Sequence, residues 1–196
     1  MIAIIDYGAG NLRSIQRALE SHGAQVEITS APERILAADR VVLPGVGNAK
    51  AAMEQLHDTG IADAVTGIAH KGTPLLGVCL GMQLLFGDQE EGPTTGLGLL
   101  EGNAVKLGDG LKVPHMGWNT VQFTGHSSLA DQPEGYFYFV HSYVVQPDDE
   151  RDIAGVTGYG EPFASVVIHE NIWGTQFHPE KSHRAGLDLL GVWLRS

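Results

Sequence analysis

A single cysteine, Cys79, stands where a short apolar run gives way to a helical pattern. Gly77 lies two residues before it and Gly81 two residues after it. Small residues at these positions let a strand turn sharply into a helix, which is the geometry of a nucleophile elbow. The free N–H groups of a helix N-terminus stabilise an anion there. The pattern predicts a reactive thiolate, and the alternative is a buried structural cysteine.

A cysteine nucleophile needs a histidine to move protons and a third group to orient that histidine. The segment His178-Pro179-Glu180 closes a predicted strand over 172–177, and its proline ends that strand. Residues i and i+2 of an extended chain point the same way, so we expect Glu180 to reach the ring of His178. We therefore predict a Cys79-His178-Glu180 triad. Taken alone, the segment would favour an ordinary turn with a surface glutamate, and the cysteine elbow shifts the interpretation to the triad.

Alternating strands and helices fill the first half of the chain. Apolar runs predict strands at 1–5, 25–29, 40–43 and 74–78, and helical spacing predicts helices after Asn11 and over 48–57 and 61–70. This order favours a mainly parallel sheet whose working residues gather beyond the carboxyl ends of its strands. Cys79 and two glycine-rich turns, at 6–11 and 44–47, follow such ends. We expect all three at one edge of the sheet.

Shorter alternating runs follow residue 88 and predict hairpins and meanders. They cover 103–107, 119–123, 135–140, 142–146, 153–159, 165–169 and 172–177, and a last helix is predicted from a cap at Ser182. There is neither a linker nor an internal repeat. We therefore expect one domain over 1–196.

Composition excludes several classes of function. The net charge is −11 and the 12 basic residues are scattered, which argues against nucleic acid or an anionic membrane as the main partner. One cysteine rules out an internal disulfide and fits a reducing cytosol. The Gly8-Ala9-Gly10 loop lacks the third glycine of a dinucleotide site, since Arg13 takes its place. We expect a cytoplasmic protein with no metal and no cofactor.

Two motifs together carry a family resemblance. Gly77-Val78-Cys79-Leu80-Gly81-Met82-Gln83 and the later His178-Pro179-Glu180 resemble the triad, or class I, glutamine amidotransferases. In that family a cysteine hydrolyses the side-chain amide of glutamine and passes the ammonia to a synthase. The resemblance implies a flavodoxin- or Rossmann-like three-layer α/β fold of one domain. Its central sheet would be mostly parallel, with added antiparallel strands in the C-terminal half.

Four further segments look like the glutaminase subunits of imidazole glycerol phosphate synthases, which act in histidine biosynthesis. They are Asp6-Tyr7-Gly8-Ala9-Gly10-Asn11, Leu43-Pro44-Gly45-Val46-Gly47, Pro114-His115-Met116-Gly117-Trp118-Asn119 and His141-Ser142-Tyr143. The third segment is the most discriminating, because other triad glutaminases do not usually carry it. The resemblance spans nearly the whole chain.

The resemblance implies a role for each triad residue. Cys79 would attack the glutamine carboxamide and form a thioester. His178, held by Glu180, would protonate the leaving ammonia and then activate water. The oxyanion would be bound by the N–H of Leu80 and by a second N–H from the Val46-Gly47 turn. Since glycines flank Val46, a peptide flip there is easy, and the turn is expected to switch when a partner docks.

The resemblance also implies two binding surfaces. Gln83 would bind the amino-acid end of glutamine together with Gly45, and Ser142 and Tyr143 would clamp its α-carboxylate. The alternative for Gln83 is a solvated helix residue. A cyclase subunit with a (β/α)8 barrel would use the ammonia as the partner in a heterodimer. The residues expected to face it are Asn11, Met116, Trp118, Tyr138 and Lys181, and the alternative for the aromatic residues is core packing.

Other readings of the sequence stay open. The same chemistry would serve the glutaminase of pyridoxal phosphate synthase or an amidotransferase of purine or aminobenzoate synthesis. A stand-alone cysteine hydrolase of γ-glutamyl peptides would need no partner. A domain with a decayed site is disfavoured because Cys79, His178 and Glu180 are all present.

Overall fold

A sheet of thirteen strands runs through the part of the chain that the computed structural model describes, residues 1–108, 110–130, 132 and 134–196. The strands are β1 (Ile2–Ile5), β2 (Val26–Thr29), β3 (Arg40–Gly45), β4 (Leu75–Cys79), β5 (Asp88–Gln89), β6 (Thr94–Thr95), β7 (Gly102–Lys106), β8 (His115–Phe123), β9 (Gly135–His141), β10 (Tyr143–Pro147), β11 (Ile153–Tyr159), β12 (Glu161–His169) and β13 (Ile172–Thr175). The helices are α1 (Leu12–Glu20), α2 (Pro32–Leu36), α3 (Ala49–Asp58), α4 (Ile61–His70), α5 (Leu80–Gln83) and α6 (His183–Trp193).

The sheet is parallel in its first half and mostly antiparallel beyond it. Strands β2, β1, β3, β4 and β13 lie side by side and pair in parallel. From β13 the sheet continues through the antiparallel pairs β13–β12, β12–β10 and β10–β7. Strand β11 branches from β12 and carries the long hairpin of β8 and β9. The carboxyl ends of the parallel strands therefore meet at one edge.

Helices cover both faces of the parallel half. Its strands are buried almost throughout, which explains their unbroken apolar sequences. On one face, Ala3 and Ile5 belong to a core shared with α2, α3 and α4. On the other face, Ile2 and Ile4 belong to a core shared with α1 and α6. The predicted three-layer α/β fold, mainly parallel with antiparallel strands in the C-terminal half, is confirmed.

Some local predictions were wrong. The helix after Cys79 has only four residues, because the carbonyls of Leu84 and Leu85 accept hydrogen bonds from the backbone of a later loop, at Leu97 and Leu99. Helix α2 was missed, although a proline at its first position is a usual start signal. Strands β8 and β12 begin four residues earlier than predicted, at 115 and 161, and β13 ends two residues earlier, at 175.

Asn11 and the predicted cap Ser182 both occupy N-cap positions, but neither side chain caps its helix. Asn11 precedes α1 and Ser182 precedes α6, yet neither side chain bonds the helix backbone. The hydroxyl of Ser182 instead donates to the carbonyl of His178 and accepts from the N–H of Tyr138. Ser182 thus ties the end of the His178 segment to β9. Among the described residues, no helix is long and apolar enough to cross a membrane.

Candidate active site

Cys79 ends β4 in a strained backbone conformation. Its φ is +57° and its ψ is −112°, in a region that non-glycine residues rarely adopt. Helix α5 starts at the next residue and turns back over the sheet. A Cβ on Gly81 would lie 1.9 Å from the carbonyl oxygen of Leu43, and one on Gly77 would lie 2.7 Å from the carbonyl oxygen of Gly81. Only glycine fits at both positions, so the elbow depends on this spacing.

His178 and Glu180 form a buried pair beside the elbow. Nδ1 of His178 lies 3.0 Å from Oε1 of Glu180, and the two side chains are 3% and 0% exposed. The route of the chain differs from the prediction, because Pro179–Lys181 is a turn of 3-10 helix and not an extended segment. A carboxylate at Nδ1 fixes the tautomer, so the Nε2 atom is the one left for chemistry.

The proton affinity of His178 is set by its two neighbours. Burial alone lowers the pKa of His178, but the Cys79 thiolate and the Glu180 carboxylate outweigh it and raise the pKa to about 9. The imidazole therefore holds its proton at neutral pH. Nε2 has no hydrogen-bond partner among the described residues, since the thiol points to the carbonyl of Val140, 3.7 Å from Sγ.

The thiol opens into a small cavity of about 280 Å³. Its wall includes Val46 and Gly47 from the turn after β3, Leu80 from α5, and the 140–143 segment between β9 and β10. Gly45 pairs directly with Cys79 across the β3–β4 ladder, which puts the turn over the nucleophile. A Cβ on Gly45 would lie 2.7 Å from the Gly81 nitrogen. The predicted oxyanion residues thus surround the thiol.

Gln83 is buried, so the alternative of a solvated helix residue is wrong. Its Nε2 donates to the carbonyl of Tyr143 at 3.0 Å and to Oε1 of Gln176 at 3.1 Å. Nε2 of Gln176 in turn lies 3.9 Å from Sγ of Cys79. The side-chain amides of Gln83 and Gln176 therefore connect the backbone of the 142–143 segment to the sulfur of Cys79.

Glu91 supplies a carboxylate to the same cavity. Its Oε2 accepts a hydrogen bond of 2.9 Å from the N–H of Ala49, in the first turn of α3. Burial raises the pKa of Glu91, and the Ala49 bond opposes that rise. Burial together with the carboxylates of Glu91 and Glu90 also raises the pKa of Tyr143. The cavity therefore contains an acceptor of the kind an ammonium group needs.

Three of the expected partner residues, Met116, Trp118 and Tyr138, lie on the β8–β9 hairpin. Met116 is 63% and Trp118 46% exposed, so core packing does not explain them. Trp118 faces Tyr138 across the β8–β9 ladder, and their rings meet edge to face at 6.0 Å. The amine of Lys181 lies 5.7 Å from the centre of the Tyr138 ring. Asn11 stands just before α1, whose Ser14 and Arg17 line a groove with Lys181.

Sequence and structure comparisons agree on the family. Residues 3–190 match the family described as glutamine amidotransferase class-I. The protein named imidazole glycerol phosphate synthase subunit HisH in Moorella thermoacetica is 50% identical over 192 residues, covering 96% of this chain and 91% of that protein. The protein of the same name in Methanocaldococcus jannaschii is 48% identical over 193 residues, with 97% and 96% covered. The chain belongs to the class-I glutamine amidotransferases, in the HisH family.

Solved structures support the fold of this class-I glutamine amidotransferase. The structure of PurLQS from Thermotoga maritima superposes with a TM-score of 0.79 at 17% identity, covering 99% of this chain and 97% of that one. At such low identity the match concerns the fold alone. The resemblance found in the sequence and the prediction of a glutamine amidotransferase enzyme are both confirmed.

The sequence alone did not identify several residues of the candidate site. Glu91 lies in a glycine- and threonine-rich stretch without periodicity, so nothing local points it inward. Gln176 sat inside an apolar run and was counted as strand. His115 and His141 served only as parts of family motifs. For Gln176, His115 and His141 the available signal was that each lies within two residues of a predicted site residue, whereas Glu91 carried no such signal.

Proposed function

We propose that this chain is a glutaminase that uses the Cys79-His178-Glu180 triad to release ammonia from glutamine. The observation that carries the proposal is the buried 3.0 Å bond between His178 and Glu180 beside a cysteine held at a strained elbow. A thiol, an oriented imidazole and a carboxylate are the parts that acyl transfer through cysteine requires. Membership of the class-I glutamine amidotransferases supports the choice of amide substrate.

The proposed steps use the thiol and the imidazole in turn. Sγ of Cys79 attacks the carboxamide carbon of glutamine, and His178 gives its proton to the departing nitrogen. Its pKa of about 9 suits this step, because the imidazole still holds a proton at neutral pH. Loss of ammonia leaves a γ-glutamyl thioester on Cys79. His178, now neutral, takes a proton from water, which hydrolyses the thioester to glutamate.

The oxyanion hole is proposed to be a switch. The N–H of Leu80 at the start of α5 would bind the developing charge, with a second donor from the Val46-Gly47 peptide. Gly47 has a φ of +96°, and Val46 is 43% exposed, so this peptide is open to the solvent and to a partner. A donor of this type is worth about 3 kcal/mol of barrier. Docking of the partner would turn the peptide toward the site.

The protein is proposed to bind both the α-ammonium and the α-carboxylate of glutamine. The Oε1 of Gln83 and the Glu91 carboxylate would accept from the α-ammonium, since both N–H groups of Gln83 are already used. The backbone of Ser142 and Tyr143 would hold the α-carboxylate. Gly45, whose missing side chain lets β3 pack directly against the Gly81 nitrogen, would contact the substrate chain through its backbone. These contacts define selectivity for an α-amino acid.

The partner is proposed to be the cyclase subunit of imidazole glycerol phosphate synthase, a (β/α)8 barrel bound as a heterodimer. Ammonia at pH 7 is mostly ammonium, so its transfer must be enclosed. The barrel would dock on the surface formed by Met116, Trp118, Tyr138 and Lys181, with Asn11 at its border. It would then convert the ammonia into imidazole glycerol phosphate and AICAR for histidine biosynthesis, in the cytoplasm.

Glutamate release, measured with and without the cyclase subunit and its nucleotide ligand, tests the proposal. We expect slow release by the chain alone and a large increase in the complex. Cys79→Ala should abolish release while leaving the complex intact. Equal rates with and without the partner would contradict the switch. Glutamine hydrolysis that survives in Cys79→Ala would contradict the triad.

A further inference from the structure

A line of hydrogen bonds joins β8 to the candidate glutamine site. Nδ2 of Asn119 lies 3.2 Å from Nε2 of His115, and Nδ1 of His115 lies 2.9 Å from Nε2 of His141. Nδ1 of His141 lies 3.0 Å from the carbonyl oxygen of Tyr143. That oxygen also accepts the 3.0 Å bond from Gln83. We call the bonds from Asn119 to the Tyr143 carbonyl the imidazole relay.

Only one arrangement of protons satisfies the imidazole relay. A carbonyl can only accept, so Nδ1 of His141 carries a proton. In a neutral ring Nε2 of His141 then accepts, and Nδ1 of His115 must donate to it. Nε2 of His115 is left to accept from Asn119. Every donor in the line therefore points toward the Tyr143 carbonyl.

Asn119 fixes the outer end of this arrangement. Its Oδ1 accepts from the N–H of Thr120 at 2.8 Å, and its Nδ2 also donates to the carbonyl of Gly158 at 2.9 Å. Turning the amide over would break both bonds. Asn119 can therefore present only a donor to His115, which excludes the other tautomer of that ring.

The surroundings of His115 and His141 keep both rings neutral and fix their positions. His115 and His141 are 4% and 5% exposed. The His115 ring is stacked between Phe139, at 4.9 Å, and Tyr159, at 4.0 Å between ring centres. Burial lowers the pKa of His141 to about 3, against the Tyr143 bond that raises it, and the charges of His115 and His178 lower it further. The titratable groups near the pair are Tyr159, stacked on His115, His178, and the Cys79, Glu91 and Tyr143 side chains that share the cavity wall with His141.

A purely structural role would not require imidazole rings here. A phenyl ring fills the stack between Phe139 and Tyr159 without burying any nitrogen. Burying polar groups is unfavourable unless each one is paired. Unlike apolar rings, the two histidines provide a directed hydrogen bond to the Tyr143 carbonyl.

We propose that His115 and His141 are positioning residues for glutamine, acting through the Tyr143 carbonyl. The carbonyl is held from one side by His141 and from the other by Gln83. Its position sets the 142–143 backbone, where the α-carboxylate is proposed to bind. This inference rests on the proposed glutaminase function. It also gives the 114–119 motif, whose Met116 and Trp118 face outward, a physical link to substrate binding.

Two variants at one position separate the hydrogen bond from the packing. His115→Phe keeps the stack but removes the donor to His141. His115→Asn keeps a donor near the place of Nδ1 but gives up the stack. In the complex with the cyclase subunit and its nucleotide ligand, we expect His115→Phe to raise KM for glutamine about tenfold, with kcat within about threefold. His115→Asn should stay within about threefold of the wild-type KM.

The outcomes distinguish this inference from the proposed function. Wild-type protein that releases no glutamate refutes the proposed function. If the wild type releases glutamate and His115→Phe keeps the wild-type KM, the positioning role of the relay is refuted while the proposed function stands. An equal rise in KM for His115→Phe and His115→Asn would also refute the relay, because the rise would then come from altered packing and not from the lost hydrogen bond. Urea unfolding of each variant shows how much stability the packing change costs.

A measurement on the native rings covers the case in which the His115 variants do not fold. Nitrogen NMR of the Cys79→Ala chain should show both rings neutral with the proton on Nδ1. Adding L-glutamine should then shift the His141 and His115 nitrogens. Rings of the other tautomer, or nitrogens that do not move when glutamine binds, would overturn the inference.

Discussion

His178 and Glu180 are joined through Nδ1 and Oε1 at 3.0 Å across a single turn of 3-10 helix. The proline between them is the first residue of this turn, which brings the carboxylate back onto the ring. Neither side chain is exposed beyond 3%. A carboxylate buried this deeply stabilises a protonated imidazole, because little solvent is present to screen the charge.

Removing the thiol should lower the pKa of His178. In the wild type we expect the imidazole to titrate near the value of about 9 that its neighbours produce. Cys79 is the largest influence that raises it, so Cys79→Ala should bring the pKa down toward or below the ordinary value. A proton NMR titration of the ring measures both. An unchanged pKa would mean that the thiol lies too far from Nε2 to act.

The raised pKa of His178 also makes stability depend on pH. The folded pKa of about 9 exceeds the ordinary value of 6.5, so the contribution is complete below about pH 6.5. It is lost as the pH rises through about 9. The stability of the wild type relative to His178→Gln, whose amide does not titrate, should therefore decline over this interval in urea unfolding. If the difference in free energy of unfolding stays constant over this interval, the raised pKa of His178 is contradicted.

The glycine at position 81 should not tolerate a methyl group. The Cβ of Gly81→Ala would lie 1.9 Å from the Leu43 carbonyl, which is backbone and cannot move away. We expect a loss of about 3 kcal/mol or more in free energy of unfolding, at the upper end for overpacking. Gly108→Ala is the matched control, since nothing lies within 4 Å of its added Cβ. Equal stability of the two variants would show that the elbow relaxes freely.

Much of the site was predictable because parallel strands bring distant motifs together. The apolar runs that became β1, β3 and β4 have carboxyl ends at one edge, so Gly45 and Cys79 had to be neighbours. The glycine spacing around Cys79 also identified the elbow. Both are local patterns whose consequence in three dimensions follows from general rules.

The unpredicted part depends on long-range contacts without a local pattern. His115 and His141 meet because β8 and β9 pair in one register out of several that the sequence allows. The inward direction of Glu91 follows from its bond to the first turn of α3. The contact between His178 and Glu180 was expected for the wrong reason, since the backbone there is helical and not extended.

Glu91→Gln should weaken glutamine binding more than it slows the chemistry. The carboxylate is proposed to accept from the α-ammonium, and a neutral amide loses the charge that strengthens such a bond. We expect KM to rise about tenfold or more while kcat stays within about threefold. The exposed Asp88→Asn serves as the control. A fall in kcat without a change in KM would place Glu91 outside substrate binding.

Trp118→Ala should weaken docking of the cyclase subunit. The indole is 46% exposed and is supported by His183, whose ring is parallel to it at 5.0 Å. Losing such an anchor at an interface costs about 2 kcal/mol, or roughly a thirtyfold rise in Kd by calorimetry. Leu36→Ala, an exposed apolar residue on α2, is the control. An equal effect of both variants would contradict the proposed surface.

His141 should make the fold sensitive to acid. Burial holds its folded pKa near 3, below the ordinary 6.5, so its neutral form is favoured by folding. Its full contribution is present above about pH 6.5 and falls away as the pH drops toward 3. The slope is about 1.4 kcal/mol per pH unit. Urea unfolding between pH 7 and 4.5 should show that slope in the difference between the wild type and His141→Gln, because the amide cannot titrate. Parallel stability curves would mean that the wild-type ring takes up its proton without disturbing the relay.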